Sequence, residues 1–325
     1  MSRKTFAEAF MEGMINGMRA DSNISVLGTG LLGHGSLRHK DKQYKEEFKK
    51  RIFEPPVSES AFTSMGVGAA LAGHRMFVHY GTSGFSLEAW NQIVHEAGVA
   101  RYMSGGQVTV PLTMHGYHGM RSAGAPQHSC SPQAMLANCP GIEVVLPSSP
   151  ADMKGLIRTA LKSDNPTFIF NHTKLIGLEG EVPDEDYAIP FGVADVKRPG
   201  RDVTVVATSF MVQRALQAAE TLAKEGIDVE VVDPRTAVPL DVDGICSSVR
   251  KTGRLVTVDE TPQSCSIGSE IAAAVAEHAF AALKAPIGRV ARLAAPAPFS
   301  PPLEAAVVPS ADRIAAAVRK TMSRT

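Results

Sequence analysis

The sequence predicts an α/β protein built as two doubly wound domains, and three observations carry that expectation. At 325 residues the chain exceeds what one hydrophobic core usually spans, so two domains are the default and one large domain is the alternative. Short apolar, β-rich runs alternate with helical patterns along most of its length, as a largely parallel sheet covered on both faces requires. The alternation lapses once, between Leu178 and Asp202, where LEGEVPDEDYAIPFGVADVKRPGRD gathers Gly, Pro and charge without periodicity. The boundary is placed there, giving a first domain over residues 1–185 and a smaller second one over 191–325.

Element by element, Thr5 to Met18 sets Phe6, Phe10, Met14 and Ile15 near helical spacing, and Ile24 to Leu27 reads as a buried strand. Ala61 to Gly73 is small and apolar, the composition of a closely packed helix, and Arg75 to Tyr80 resumes as strand. Leu87 to Tyr102 reads as helix and Val108 to Met114 as strand. Ser131 and Pro132 suit the cap and first position of a short helix ending at Leu136. Strand Ile142 to Leu146, helix Ala151 to Lys162 and strand Thr167 to Phe170 close the first domain. In the second, strands Val203 to Ala207, Val229 to Val232, Arg254 to Val258 and Gly288 to Leu293 alternate with helices Met211 to Glu225, Asp241 to Lys251, Gly268 to Phe280 and Ala311 to Met322. Gly226 is a helix stop.

Composition excludes several functions. Lys plus Arg and Asp plus Glu both number 33, which removes the basic footprint of a nucleic-acid binder. Four separated cysteines without a Cys-x-x-Cys pair suit free thiols in a reducing compartment. Glu8 and Glu12 interrupt any signal-peptide apolar core, and no stretch reaches the roughly 18 apolar residues of a membrane span. A cytoplasmic protein is expected, with neither nucleic acid nor membrane as partner.

No familiar phosphate loop or nucleophile elbow is present: Gly28-Thr29-Gly30 lacks the third glycine of a dinucleotide fingerprint, and neither Gly-Lys-Ser/Thr nor Gly-x-Ser-x-Gly occurs. His115 and His118 have His-x-x-His spacing without a carboxylate or cysteine to complete a metal set, and such a loop pair is more often polar lining than ligand. Three segments stand out together: Pro56-Val57-Ser58-Glu59, Arg101-Tyr102-Met103-Ser104-Gly105-Gly106 and Gln127-His128-Ser129. With MGVGAALAG (65–73), RYMSGGQVTVP (101–111), CPGIEVV (139–145), DVTVVATSFMV (202–212), DPRTAVPLD (233–241) and TGRLVTVDE (252–260), they form a collinear set spanning the chain.

On these segments the chain resembles the β subunits of thiamine-diphosphate-dependent 2-oxo acid dehydrogenases, the pyruvate, branched-chain and acetoin dehydrogenase family. The resemblance implies a transketolase-like pyrimidine-binding domain followed by a transketolase C-terminal-like domain. It implies that Glu59 donates a hydrogen bond to the aminopyrimidine ring, favouring the tautomer that removes the thiazolium C2 proton. That chemistry needs a shielded carboxyl group that keeps a proton available for sharing. Without the resemblance Glu59 is a helix-start residue behind a Ser58 cap. Phe85 falls where the family stacks an aromatic on the pyrimidine, and is otherwise a core residue. His128 matches the histidine that lines the substrate channel and moves a proton or positions substrate. Backbone carbonyls of Leu112, Ala160, Ser163 and Asn165 fall where some relatives hold a structural potassium ion.

The family's Gly-Asp-Gly motif for the cofactor diphosphate and Mg²⁺ is absent here. The resemblance therefore implies an α subunit that carries it, in an α₂β₂ heterotetramer with active sites between unlike chains. Several positions depart from the family: Gly28-Thr29-Gly30 replaces an acidic triplet, and the strand end His79 to Phe85 is smaller and more polar. His115-Gly116-Tyr117-His118-Gly119 replaces an Arg-Gly-Pro-Asn-Gly turn, which makes His115 and His118 candidate substrate-pocket residues. Together the departures speak against ordinary pyruvate specificity. The implied function is cleavage of a carbon–carbon bond beside a carbonyl in a 2-oxo acid or acetoin, with the acyl group passed to the lipoyl domain of an acyltransferase core. The rival readings are a free-standing carboligase or ketol-transfer subunit and a non-catalytic scaffold.

Overall fold

The computed structural model describes residues 1–28 and 38–323, with side chains from residue 43 onward in the second stretch. The chain divides into two compact units, one of Met1–His118 with Met135–Phe191 and the other of Gly119–Ala134 with Gly192–Thr325.

In the first unit β1 (Ser2–Thr5) leads into α1 (Phe6–Ala20), β2 (Ile24–Gly28), α2 (Arg38–Glu47), β3 (Ile52–Phe53), α3 (Glu59–Leu71) and β4 (Arg75–Thr82). A 3₁₀ segment Ser83–Ala89, a π-helical segment Gln92–Ala97 and α4 (Gly98–Met103) follow, then β5 (Leu112–His118). Beyond α5 (Ala125–His128) and α6 (Gln133–Ala137) come β6 (Glu143–Val145), α7 (Pro150–Ala160), β7 (Thr167–His172) and β8 (Glu179–Val182). Six strands of this unit lie in the order β6-β7-β5-β4-β2-β3, all parallel. β5 and β4 lie at the centre, with β7 and β6 on one side and β2 and β3 on the other, a parallel doubly wound arrangement with loops at the carboxyl ends of the strands.

Strand alternation assigns the two sheet faces. Phe10 of α1 stacks on His115 at 4.6 Å between ring centroids and lies 6.2 Å from Phe77, so α1 covers the face onto which Phe77, His79 and His115 project. On the other face α3 packs closely: a Cβ on Gly66 would lie 2.7 Å from Val78 Cγ2, and Phe62 meets Tyr80 at 5.6 Å. Thr5 caps α1 with a full capping box, its hydroxyl accepting from Glu8 N at 3.2 Å while its own N donates to Glu8 Oε2 at 2.9 Å. Against α1 lies α7, whose Lys154 is fully buried and donates to Glu12 Oε1 at 2.9 Å.

The second unit contains β9 (Asp195–Arg198), β10 (Val203–Ala207), α8 (Met211–Ala223), β11 (Val229–Asp233), β12 (Thr236–Val238), α9 (Val242–Thr252), β13 (Leu255–Pro262), α10 (Ile267–His278), β14 (Gly288–Arg292), α11 (Pro301–Val307) and α12 (Ala311–Met322). Its sheet is ordered β14-β13-β10-β11-β9, parallel except for β9. Val203, Val205, Val231, Val256 and Val258 are at most 1% exposed and form the centre of its core with α8 and α12. The helices and strands expected from Val203 onward all form, with no end shifted by more than four residues, and Gly226 takes a φ of +80° just past α8.

Three local expectations are corrected. The turn expected over His115 to Gly119 is strand through His118, because β5 is flanked by β4 and β7 and the Thr113 to His118 ladder with β7 continues unbroken. Gly116 permits this: an added Cβ would lie 2.7 Å from Ser83 Cα. The helix expected over Leu87 to Tyr102 begins as a 3₁₀ segment and contains a π-helical stretch. The aperiodic stretch 178–202 holds two short strands, β8 antiparallel to β1 and β9 antiparallel to β11.

Candidate active site

Glu59 is the first residue of α3 and is half-buried. Ser58 precedes it with φ −163° and ψ 87°, and its side chain makes no cap hydrogen bond. The Ser58 cap of the structural alternative does not form. No hydrogen bond or ion pair with another described residue engages the Glu59 carboxyl. One turn on, Thr63 Oγ1 lies 2.9 Å from Tyr80 Oη, both groups buried, and this bond fastens the first turn of α3 to β4. Burial pushes the Tyr80 hydroxyl above its ordinary range; the Thr63 bond lowers it and the Glu59 charge adds to the rise.

Tyr80 belongs to a ladder of rings on the α3 face. It stacks on Phe168 at 5.8 Å and 7°, and Phe168 stacks on Phe170 at 4.2 Å. His118 meets Phe170 at 5.8 Å and His172 at 5.0 Å, both edge-on. On the opposite face His115 Nδ1 lies 2.8 Å from His79 Nδ1, and Tyr117 meets both imidazoles edge-on. Burial pushes the Tyr117 hydroxyl up to about 12.

His115 and His118, grouped by spacing in the sequence, thus project to opposite faces, since three residues along a strand reverse the side. Only His118 shares a face with the helix that carries Glu59. Both are fully buried. The sequence reading passed over Thr63 and His172, and named Tyr80 only as part of a polar strand end. Strand parity, counted from Phe77 and Val78, is the signal that collects Tyr80, His118 and His172.

Phe85 lies half-buried in the 3₁₀ segment leaving the carboxyl end of β4. Ser83 of that segment rests against Gly116, so β5 sets the height at which Phe85 stands. His128 ends α5 and is half-buried beside the fully buried Ser129. It belongs to the segment Gly119–Ala134, which packs with the second unit. Of Gly28-Thr29-Gly30, only Gly28 is among the described residues.

Three of the four candidate potassium carbonyls, those of Ala160, Ser163 and Asn165, are already engaged. Ala160 O accepts from Thr113 Oγ1 at 3.1 Å and Ser163 N at 3.1 Å, and Asn165 O accepts from Thr167 Oγ1 at 3.4 Å. Ser163 O accepts from Arg75 Nη1 at 2.9 Å, which brings a guanidinium charge to the oxygen a cation needs. These residues fit a potassium ion poorly. No cluster of three His, Cys, Asp or Glu able to hold a metal occurs among the described residues. For the aminopyrimidine the fit is better: a carboxyl at a helix start, engaged by no described residue, with an aromatic ring at the adjoining strand end.

Residues 2–177 match the family model for the transketolase pyrimidine-binding domain, and 192–314 match that for the transketolase C-terminal domain. The β subunit of acetoin:2,6-dichlorophenolindophenol oxidoreductase from Cupriavidus necator is 46% identical over 84% of this chain and 80% of its own length. The chain belongs to the transketolase-like family of dehydrogenase β subunits. Other members include the 2-oxoisovalerate dehydrogenase β subunit of Bacillus subtilis, 38% identical over 98% of this chain and 99% of its own. The pyruvate dehydrogenase E1 β subunit of Rhizobium meliloti is 36% identical over 98% of this chain and 70% of its own. The fold also matches a solved structure described as a split-gene transketolase, inactive β₄ tetramer, with TM-score 0.81 and 23% identity over 98% of both chains. The expected two-domain transketolase-like fold is borne out. The family is thiamine-dependent. Among the described residues no helix is long and apolar enough to cross a membrane, and the four cysteines are free thiols.

Proposed function

We propose that this chain is the β half of a thiamine-diphosphate-dependent enzyme that cleaves a 2-oxo acid or acetoin beside its carbonyl. The observation that carries the reading is Glu59 at the start of α3, its carboxyl engaged by no described residue and its helix fastened by the Thr63–Tyr80 bond. Bound thiamine diphosphate supplies the electron sink for the cleaved bond. In this reading Glu59 holds a proton against the ring nitrogen, Phe85 stacks on the ring, and His128 orients substrate and moves a proton during acyl transfer to a lipoyl arm. His118 is the histidine of β5 that lies on the Glu59 side, and it takes the pocket role in place of the His115–His118 pair.

The diphosphate and Mg²⁺ are assigned to an α subunit, because this sequence has no Gly-Asp-Gly motif. Large apolar side chains support such a partner: Tyr102 and Met103 are 90% and 78% exposed in this chain alone. Beside them lies an apolar cavity of about 530 Å³ lined by Ala97, Val99, Tyr102, Val110 and Pro140. The test is to copurify the chain with the product of its neighbouring α-subunit gene and assay 2-oxo acids and acetoin. Thiamine-dependent cleavage coupled to a lipoyl or dye acceptor supports the reading. Product formation from two carbonyl substrates without an acceptor would favour a carboligase, and no thiamine-dependent turnover at all would remove the proposal.

A further inference from the structure

The segment that carries His128 groups with the second unit. Gly119–Ala134 packs with Gly192–Thr325, and two carboxylates remote in sequence hold its backbone. Met120 N donates to Glu260 Oε1 at 2.6 Å across 140 residues, and Ser122 N donates to Glu304 Oε1 at 3.1 Å across 182. Glu260, in β13, is 5% exposed, and Glu304, in α11, is 3% exposed. Ionised acceptors make backbone hydrogen bonds of this kind roughly twice as strong as neutral ones. The Met120 side chain is 1% exposed and joins the core of the second unit.

Between these anchors and His128 the backbone is strained. Ser122, Ala123 and Ala125 have φ of +61°, +60° and +55°, a region that residues with a Cβ occupy only where the surroundings over-determine it. Gly124 closes the turn: a Cβ there would lie 2.6 Å from Ser129 Oγ and 2.6 Å from Arg121 Cγ. Arg292 of β14 adds a charge. Burial lowers its guanidinium below the usual range, while Glu260 and Cys130 act in the opposite sense, so it interacts with both an anchor and the segment.

We infer that Glu260 and Glu304 are positioning residues for His128: by accepting from Met120 N and Ser122 N they fix the strained turn that sets where the imidazole stands. The second unit then has a role in the chemistry besides any subunit contacts. The inference rests on the reading of His128 as a site residue.

The experiment uses the copurified α/β assembly. Glu260 lies in a central strand and its truncation endangers folding, so Glu304 carries the test, with Glu304→Ala, Glu304→Gln and His128→Ala made side by side. Hydrogen exchange at Ser122 and neighbouring amides is read in the cofactor-free assembly, and kcat, KM and thiamine affinity in the loaded one. The expected result for Glu304→Ala is exchange accelerated about tenfold or more and kcat lowered on the order of 10-fold to 100-fold, with thiamine affinity unchanged. Glu304→Gln, which keeps an acceptor oxygen, restores most of both. If Glu304→Ala accelerates exchange yet keeps full kcat while His128→Ala is impaired, positioning is overturned and the role of His128 stands. If His128→Ala itself keeps full activity, the reading of His128 fails, and the inference with it.

Discussion

Glu59 and Gly116 can each be tested by a single substitution. Glu59→Gln keeps the shape of the side chain and removes its proton, so the account expects an assembled enzyme with native folding and turnover reduced on the order of 10²-fold or more, the usual contribution of a positioned proton donor. Unchanged turnover would point to the scaffold reading. Gly116→Ala inserts a methyl 2.7 Å from Ser83 Cα, where backbone rather than a flexible side chain must yield. Overpacking of this kind costs about 1–3 kcal/mol. It also displaces the segment bearing Phe85, so weaker thiamine binding is expected together with a lower melting temperature; loss of one without the other would separate Phe85 from the β5 contact. Glu59 and Phe85 were legible in the sequence only through the family resemblance, since their residue types alone read equally well as a helix start and a core ring. The pairing of His115 with His118 failed for a geometrical reason. Spacing was read as if in a turn, where both rings can face one way, but the strand continues and its alternation separates them.

Elements were legible where apolar periodicity is strong. Val203–Ala207 and Val229–Asp233 are buried at every position, as the interior strands of a parallel sheet are, and their apolar runs give them away. Among the strands that went unread, β1, β8 and β9 are four residues each and mostly polar or half-exposed, so they lack the alternating signal. Leu87 to Tyr102 reads as one ordinary helix in the sequence because a π-helical stretch changes hydrogen-bond register without changing composition. The contacts around α7 and β7 carry a prediction of their own. Arg75 Nη1 donates to Ser163 O and Arg75 Nη2 reaches Asp164 Oδ1 at 2.6 Å, so a cation is already built into the loop after α7. Replacing potassium by sodium at equal ionic strength is therefore expected to leave the melting temperature and activity of the assembly unchanged. A stabilisation that saturates with potassium would contradict this. Capping is the other test at this scale: Thr5→Ala removes the hydroxyl that accepts from Glu8 N, leaving the Thr5 N bond to Glu8 in place, and is expected to cost about 1 kcal/mol of stability.

Each unit of the molecule holds a carboxylate whose titration links stability to pH. Burial alone would raise Glu12 and Glu230, but hydrogen bonds from Lys4 and Lys154 to Glu12, and from Lys251 and Ser248 to Glu230, hold both below the usual carboxylate range. A depressed folded-state value means the stabilisation is present above the unfolded carboxylate value, about 4.5, and is lost as pH falls through the folded one. Melting temperature is thus expected to change little between about pH 7 and 5 and to fall below about pH 4.5. Stability rising on acidification would show that these ion pairs do not control it. At this scale the sequence revealed two alternating halves. It did not reveal that Gly119–Ala134 packs with the later half, because proximity along the chain says nothing of which carboxylates a strained turn meets.

The central claim is a split site, with Glu59 on one wall and the diphosphate and Mg²⁺ on the partner's. Calorimetric titration of thiamine diphosphate with Mg²⁺, into this chain alone and into the copurified α/β assembly, tests it most directly. The account predicts binding by the assembly and none by the lone chain; tight binding by the lone chain would place the diphosphate site here and contradict it.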